Sequence, residues 1–201
     1  PVQCAGRSMA TTFWGKAWCA NLESYSDFAN RLPRGRTYAR NGSVVNLRVM
    51  TEGRRGAQVE ALVAGSELYR VTVKTKPLPA ARWAAIQRVC TGQIDSVVEL
   101  LAGQLSDGVM GVVTGRGDGL FPTPDELTMH CTCPDWATMC KHVAAVLYGV
   151  GARLDENPGL LFSLRGVDPS DMAVEALAEL TPKRARGRVL AAESVASIFG
   201  L

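Results

Sequence analysis

The first strong pattern of apolar positions in the chain has a helical period and lies between residues 13 and 32. Apolar side chains recur there at steps of three and four, at Trp18, Leu22, Tyr25, Phe28 and Leu32. This spacing predicts one amphipathic helix, because residues three and four apart share a face. Pro33 and Gly35 follow, and both favour the end of a helix.

From Ser43 to Thr75 the apolar period changes to two, which is typical of strands. Glycine-containing breaks at 52–56 and 65–66 supply the turns, so the pattern predicts a three-stranded antiparallel meander. A small sheet is only marginally stable alone, and we expect the helix that carries Trp18 to cover its apolar face. The alternating triplets are Val45, Leu47, Val49; Val59, Ala61, Val63; and Tyr69, Val71, Val73.

Helical periodicity returns after the meander and again near the end of the chain. Trp83, Ile86 and Cys90 line one predicted helix, and apolar positions between 94 and 105 line a second. The glycine-rich segment 106–124 is predicted to be a connector, and two further helices are predicted over 169–180 and 189–199. The fold class that follows is α+β: a small antiparallel β-meander covered by helices, with a helical tail.

Composition agrees with a folded chain that does not enter a membrane. Hydrophobic residues make up 47% and charged residues 20% of the 201 residues, which is ordinary globular usage. No apolar run reaches the roughly 18 to 20 residues that a membrane span needs, and the first residues lack the pattern of a secretory signal. We therefore expect a cytoplasmic protein with no membrane partner.

Charge is segregated along the chain although the net charge is only +3. Up to residue 55 there are nine Lys or Arg against three Asp or Glu, and between 118 and 180 there are three against ten. The basic and the acidic part of the chain either bind different partners or are two solvated surfaces. The candidate phosphate contacts of the basic half are Lys16, Arg34, Arg36 and Arg40, which could equally bind acidic side chains. The basic run at 183–188 is a further candidate.

Three of the six cysteines fall within ten residues, and this clustering calls for a metal explanation. Cys131 and Cys133 stand at the end of a short predicted strand, and Cys140 and His142 open an apolar helix. Thiolate sulfur and imidazole nitrogen suit Zn²⁺, and three Cys with one His complete a tetrahedral shell. The sequence therefore predicts one structural zinc ion that joins a strand end to a helix start.

His130 is a rival for the nitrogen position, but as the neighbour of Cys131 it would require the chain to fold back tightly. His142 is therefore preferred, and Trp136 is expected to shield the site. A closed ligand set leaves no position for a reactive water, which argues against catalysis by the metal. The chain also lacks a Gly-x-Ser-x-Gly elbow and a phosphate-binding loop, so we expect neither enzymatic activity nor a small-molecule substrate.

Cys131-x-Cys133 followed after six residues by Cys140-x-His142 resembles the SWIM zinc finger. Other segments are similar to recurring segments of the bacterial SWIM zinc-finger family proteins, namely residues 14–18, 34–42, 120–122, 133–136 and 164–166. The resemblance implies a DNA-binding or protein-binding role, often beside a Snf-type helicase-like ATPase.

Two functions from different classes follow. In the first, the protein is a zinc-binding SWIM-domain protein that acts as a nucleic-acid (DNA) binding accessory module with a Snf-type helicase-like ATPase. In the alternative, it is a protein–protein interaction adaptor without direct nucleic-acid contact, docking through apolar surface near the zinc helix. Either function fits three predicted regions: an N-terminal α+β region at 1–117, a SWIM-type zinc finger region at 118–166 and a helical tail at 167–201.

Overall fold

A four-stranded antiparallel sheet, in the order β1-β2-β3-β4, lies at the centre of the fold. The structure is a computed structural model that describes residues 2, 9–51, 53–90, 97–102, 104 and 106–172. The strands are β1 (Val44–Thr51), β2 (Ala57–Ala64), β3 (Leu68–Thr75) and β4 (Leu127–Cys131).

The first three strands confirm the predicted meander, and a fourth strand joins it from a distant part of the chain. β2 is in register with β3 over its whole length, from Ala57 opposite Thr75 to Ala64 opposite Leu68. β4 pairs with β3, so that Cys131 lies opposite Val71. Local periodicity does not predict this pairing, because it depends on which strand edge is left open after the meander has formed.

Helices account for most of the remaining described residues. The glycine-rich segment 106–124, predicted as a connector, contains a helix that begins after Ser106, whose hydroxyl accepts a hydrogen bond from the Val109 N–H. The helices are α1 (Phe13–Glu23), α2 (Leu32–Arg40), α3 (Ala80–Cys90), α4 (Val97–Ala102), α5 (Asp107–Val113), α6 (Lys141–Glu156) and α7 (Leu160–Leu164).

The single helix predicted over 13–32 is wrong in one respect, because two helices occupy this part of the chain. α1 ends at Glu23, and a short 3₁₀ turn at Ser26–Phe28 leads into α2. Pro33 therefore begins a helix instead of ending one. In the first turn a proline lacks only an N–H that has no partner within the helix, so it is tolerated there and its fixed φ favours the helix start.

The sheet is covered by α6, and not by α1 as expected. α6 contacts all four strands, while α1 and α2 pack on α6. The indole of Trp18 donates a hydrogen bond to the Leu147 carbonyl of α6 over 2.8 Å. Twelve of the sixteen residues of α6 are buried, which makes it the central helix. A helical period identifies an apolar face but does not say which element that face meets.

A buried ion pair ties the C-terminal side of the described chain to the sheet. Arg165 has no exposed surface, and it donates to Glu126 Oε1 over 2.9 Å and to the Lys76 carbonyl over 2.8 Å. Arg82 donates to the same carboxylate over 3.1 Å. Because Glu126 immediately precedes β4, this network fixes the entry into the strand that ends at Cys131, the first of the three clustered cysteines.

Several predictions concern residues that the structure does not describe. The basic run at 183–188 and the helix over 189–199 lie outside the described residues, and of the helix over 169–180 only the part up to Met172 is described. The division at residues 117 and 166 stays a prediction. Within the described ranges, none of the helices combines the length and the apolar character that crossing a bilayer requires.

Candidate metal centre

The candidate metal site lies between the end of β4 and the start of α6. Beyond Cys131, the last residue of β4, Thr132 continues the pairing: its N–H donates to the Arg70 carbonyl and its hydroxyl accepts from the Arg70 N–H, both over 3.0 Å. Cys140 is the N-cap of α6, and its carbonyl accepts the first helical hydrogen bond, from Ala144. Backbone hydrogen bonds thus fix both ends of the loop between them.

Four side chains, from the loop and from the two elements that flank it, converge at this site. The ligand atoms of Cys131, Cys133, Cys140 and His142 all lie within 4.8 Å of one another. His142 Nδ1 is 3.8 Å from Cys131 Sγ and 3.9 Å from Cys140 Sγ. Around a tetrahedral Zn²⁺ with usual bond lengths, sulfur and nitrogen ligands are about 3.6 Å apart. The four residues are therefore positioned to bind one zinc ion, with Nδ1 as the nitrogen ligand.

The electrostatics of the site explain why a cation is needed there. Burial raises the pKa of the Cys131 and Cys140 thiols, although the Cys133 N–H, hydrogen-bonded to Cys131, opposes part of the rise. Burial and the positive charge of Lys141 lower the pKa of His142, so the imidazole is neutral, as a metal ligand must be. Without a cation these thiols stay protonated, and Zn²⁺ supplies the charge that makes thiolates favourable.

The imidazole of His142 is held by two aromatic rings. Tyr69 stacks on it with ring centroids 4.5 Å apart, and the Tyr38 ring meets it edge-on at 5.4 Å. Its second nitrogen, Nε2, is buried and has no hydrogen-bond partner among the described atoms. Nε2 lies against the turn between β2 and β3: a Cβ added to Gly65 in that turn would be 3.1 Å from Nε2. The ring is thus oriented by packing, with Nδ1 turned toward the thiols.

The prediction that Trp136 shields the metal site is wrong. Its side chain is 99% exposed, whereas Met139, three residues further along the same loop, is fully buried. The loop is braced by Asp135, which accepts hydrogen bonds from Arg31 over 2.8 Å and from the Ala137 N–H over 3.2 Å. Which side chain of a loop turns inward depends on its tertiary neighbours, and the sequence pattern does not reveal these.

The rival histidine is excluded as a ligand by strand geometry. His130 precedes Cys131 in β4, and successive side chains of a strand point to opposite faces of the sheet. His130 is exposed and opposite Thr72 of β3. The nitrogen ligand is therefore His142, as the sequence analysis preferred.

The four candidate nucleic-acid contacts differ in their surroundings. Lys16 and Arg36 line the same surface depression, together with Glu23, which is ion-paired with Arg36. The Arg36 guanidinium also lies over the Tyr148 ring, 5.5 Å from its centroid. Arg34 and Arg40 are exposed on α2. Arg36 is therefore largely engaged within the protein, while the other three point to solvent.

A surface that the sequence analysis missed joins α2 to the metal loop. Arg31 pairs with Asp135, and Lys141 Nζ lies over the Tyr38 ring, 5.1 Å from its centroid. These contacts connect residues about one hundred positions apart, so no local pattern could have shown them. The available signal was the chemistry alone: cations and an aromatic residue in and next to α2, an acid in the metal loop, and a lysine at the start of α6.

A closed set of three Cys and one His, built on a strand end and a helix start, defines a zinc-finger protein. The family model of the SWIM zinc finger matches residues 112–150. The chain therefore carries a SWIM zinc finger, and the resemblance seen in the sequence is confirmed.

One relative extends the similarity beyond the zinc finger. The chain is 35% identical over 189 residues to the uncharacterized protein Rv2102 of Mycobacterium tuberculosis, a match that covers 92% of this chain and 65% of the relative. The chain thus spans somewhat less than two thirds of the length of that relative. No solved structure matches the chain at a significant level.

Proposed function

We propose that the protein is a zinc-dependent accessory module that binds nucleic acid and works beside a Snf-type helicase-like ATPase. The observation that carries the proposal is the coupling of a basic helix to a structural zinc site. α2 bears Arg34 and Arg40 on its exposed surface. Its N-cap, Arg31, pairs with Asp135 of the metal loop, and Tyr38 contacts Lys141 and His142 at the start of α6. Cations presented by a zinc-held frame suit a phosphate backbone.

The exposed cations of α2 are available to a partner. Among the described residues, the ion pairs of acidic groups involve Arg31, Arg36, Arg82, Arg153 and Arg165, and neither Arg34 nor Arg40 is among them. A surface cation that makes no ion pair contacts a phosphate without first breaking an existing pair. Lys16 is likewise exposed, although it shares a depression with Glu23.

A salt titration tests the proposal. Binding of a labelled DNA duplex and of a labelled single strand is followed by fluorescence anisotropy between about 50 and 200 mM salt. We expect log affinity to fall linearly with log salt, and Arg34→Gln combined with Arg40→Gln to reduce the slope by about 2, close to 1 for each phosphate contact. The matched control is Arg88→Gln, an exposed arginine on α3. Absence of binding, or a slope that the double variant does not change, would refute this interface.

A protein–protein adaptor is the second candidate. α6 itself is too buried to offer the apolar docking surface first expected near it. Leu68, 59% exposed at the hairpin beside His142, is the observation that favours an adaptor. The test is co-purification with the ATPase after nuclease treatment: retention that Leu68→Ala abolishes would support the adaptor, and loss of the ATPase on nuclease treatment would count against it.

A further inference from the structure

Trp136 is the most exposed large apolar side chain in the part of the chain that the structure describes. Its side chain is 99% exposed, whereas Trp14 and Trp18 are each 1% exposed and Trp83 is 8% exposed. Tryptophan is rarely left in water, because its indole carries a large apolar surface. A single aromatic of this kind therefore calls for a partner.

The exposed indole is held on a braced loop. Trp136 lies between the metal ligands Cys133 and Cys140, and its neighbour Asp135 is fixed by Arg31 on one side and by the Ala137 N–H on the other. Met139, near the end of the loop, is fully buried. The backbone that presents the ring is thus braced before any partner arrives, and a preorganised segment loses less entropy on binding.

Cations border this loop. Arg31, the N-cap of α2, and Tyr38 lie seven residues apart, which at helical spacing places them on one face, and both contact the zinc finger. Arg34 is on the same face between them and is exposed. At the C-terminal end of the loop, Lys141 directly follows the ligand Cys140. An exposed aromatic among cations is the combination found where proteins bind single-stranded nucleic acid.

We propose that Trp136 stacks on an unpaired base, so that the zinc loop and the adjoining face of α2 bind single-stranded nucleic acid in preference to duplex. This inference rests on the nucleic-acid function proposed above and specifies its ligand class. A base in a duplex is already stacked on both faces, and an indole reaches it only after the base is extruded at a cost. In a single strand the face of the base is accessible.

The surroundings of Trp136 favour a base over a protein partner. The aromatic centre of a protein interface is usually surrounded by other apolar side chains that exclude water. The remaining large apolar side chains exposed in the described ranges are Phe13, Val45, Met50, Leu68 and Val89, and none belongs to the loop between Cys133 and Cys140. The immediate surroundings carry charged groups instead, namely Arg31, Asp135 and Lys141.

The test uses the zinc-loaded full chain and an oligothymidylate of about 20 nucleotides, compared with a duplex of the same length. Because the other three tryptophans are buried, acrylamide quenches chiefly Trp136 in the free protein. We expect oligothymidylate to protect this emission from acrylamide and to bind more tightly than the duplex. Trp136→Ala should weaken binding of the single strand between about 5-fold and 150-fold. Trp136→Phe, which keeps a ring, should retain most of the affinity.

The control is Val89→Ala, which removes exposed apolar surface on α3 and should leave binding unchanged. Since Trp136 packs against little, its variants should keep their zinc content and melting temperature. Salt-dependent binding of oligothymidylate that Trp136→Ala does not weaken would overturn the stacking inference and leave the proposed function standing. Loss of ATPase binding in Trp136→Ala with unchanged oligonucleotide binding would overturn it in favour of a protein contact. No binding of any oligonucleotide would refute both the stacking inference and the proposed nucleic-acid function.

Discussion

The four metal ligands act together, because each supplies one position of a tetrahedral zinc shell. Cys131, Cys133, Cys140 and His142 lie within a short segment, so their convergence needs only a local turn. The exposure of Trp136 and the pairing of Arg31 with Asp135 were not predictable in this way. Both are decided by how distant parts of the chain pack, and no local pattern shows this.

Asp155 is another residue whose role only the folded chain reveals. Its two carboxylate oxygens accept four hydrogen bonds, from the N–H and hydroxyl groups of Thr11 and Thr12, over 2.6 to 3.0 Å. Thr12 is the N-cap of α1, so this carboxylate ties the end of α6 to the start of α1. Burial alone would raise the pKa of Asp155, but the hydrogen bonds from Thr12 and Thr11 outweigh it and hold the pKa below its usual value.

The expected consequence is a stability term that depends on pH. Because the folded pKa is lower than the unfolded one, the term is present above about pH 4 and is lost as pH falls through the folded value. Asp155→Asn should therefore lower the free energy of unfolding by about 1–3 kcal/mol at neutral pH, and the gap to wild type should shrink in acid. Urea unfolding at neutral and at acid pH measures the free energy of unfolding of wild type and variant. Any loss of zinc in acid affects the two proteins alike. The control is Glu156→Gln, an exposed partner of Arg153. A gap that is equally large in acid would refute this role.

At the scale of elements, the sequence predicted the types of most elements better than their ends and partners. The meander was found because alternation is a local property, whereas the break between α1 and α2 was missed because an apolar stripe runs through it. Gly35, which the sequence pattern predicts as a helix stop, is instead the point where α2 crosses α6. A Cβ on Gly35 would lie 2.3 Å from the Ala144 Cβ and 2.9 Å from the Ala145 nitrogen.

Gly35→Ala should therefore destabilise the protein although alanine is the better helix former. The clash involves backbone and a rigid methyl group, and overpacking of this kind costs about 1–3 kcal/mol. The matched control is Gly111→Ala in α5, where an added Cβ has nothing within 4 Å, so the gain in helix propensity, up to about 1 kcal/mol, should appear. Thermal unfolding distinguishes the two variants. Similar melting temperatures for Gly35→Ala and Gly111→Ala would contradict the close crossing.

At the scale of the whole molecule, several acidic residues of the later part of the chain bind groups of the earlier part. Asp135 pairs with Arg31 of the basic part, Glu126 pairs with Arg82, and Asp155 accepts hydrogen bonds from the uncharged Thr12 at the start of α1. These three carboxylates are engaged within the protein, but only Asp135 pairs with a cation of the basic part. The α+β class was predictable because it follows from the kinds of elements present, but the position of α6 between the sheet and α1 was not.

The central claim is that one Zn²⁺, held by β4 and α6, locks the sheet to the helix that forms the core. Its most direct test is metal analysis combined with thermal unfolding before and after chelation, in wild type and in Cys19→Ala, whose thiol is not a ligand. We expect one zinc ion per chain in both proteins and a melting temperature that falls by at least about 10 °C when the metal is removed. A purified protein without bound metal, or an unchanged melting temperature after complete zinc removal, would contradict the claim.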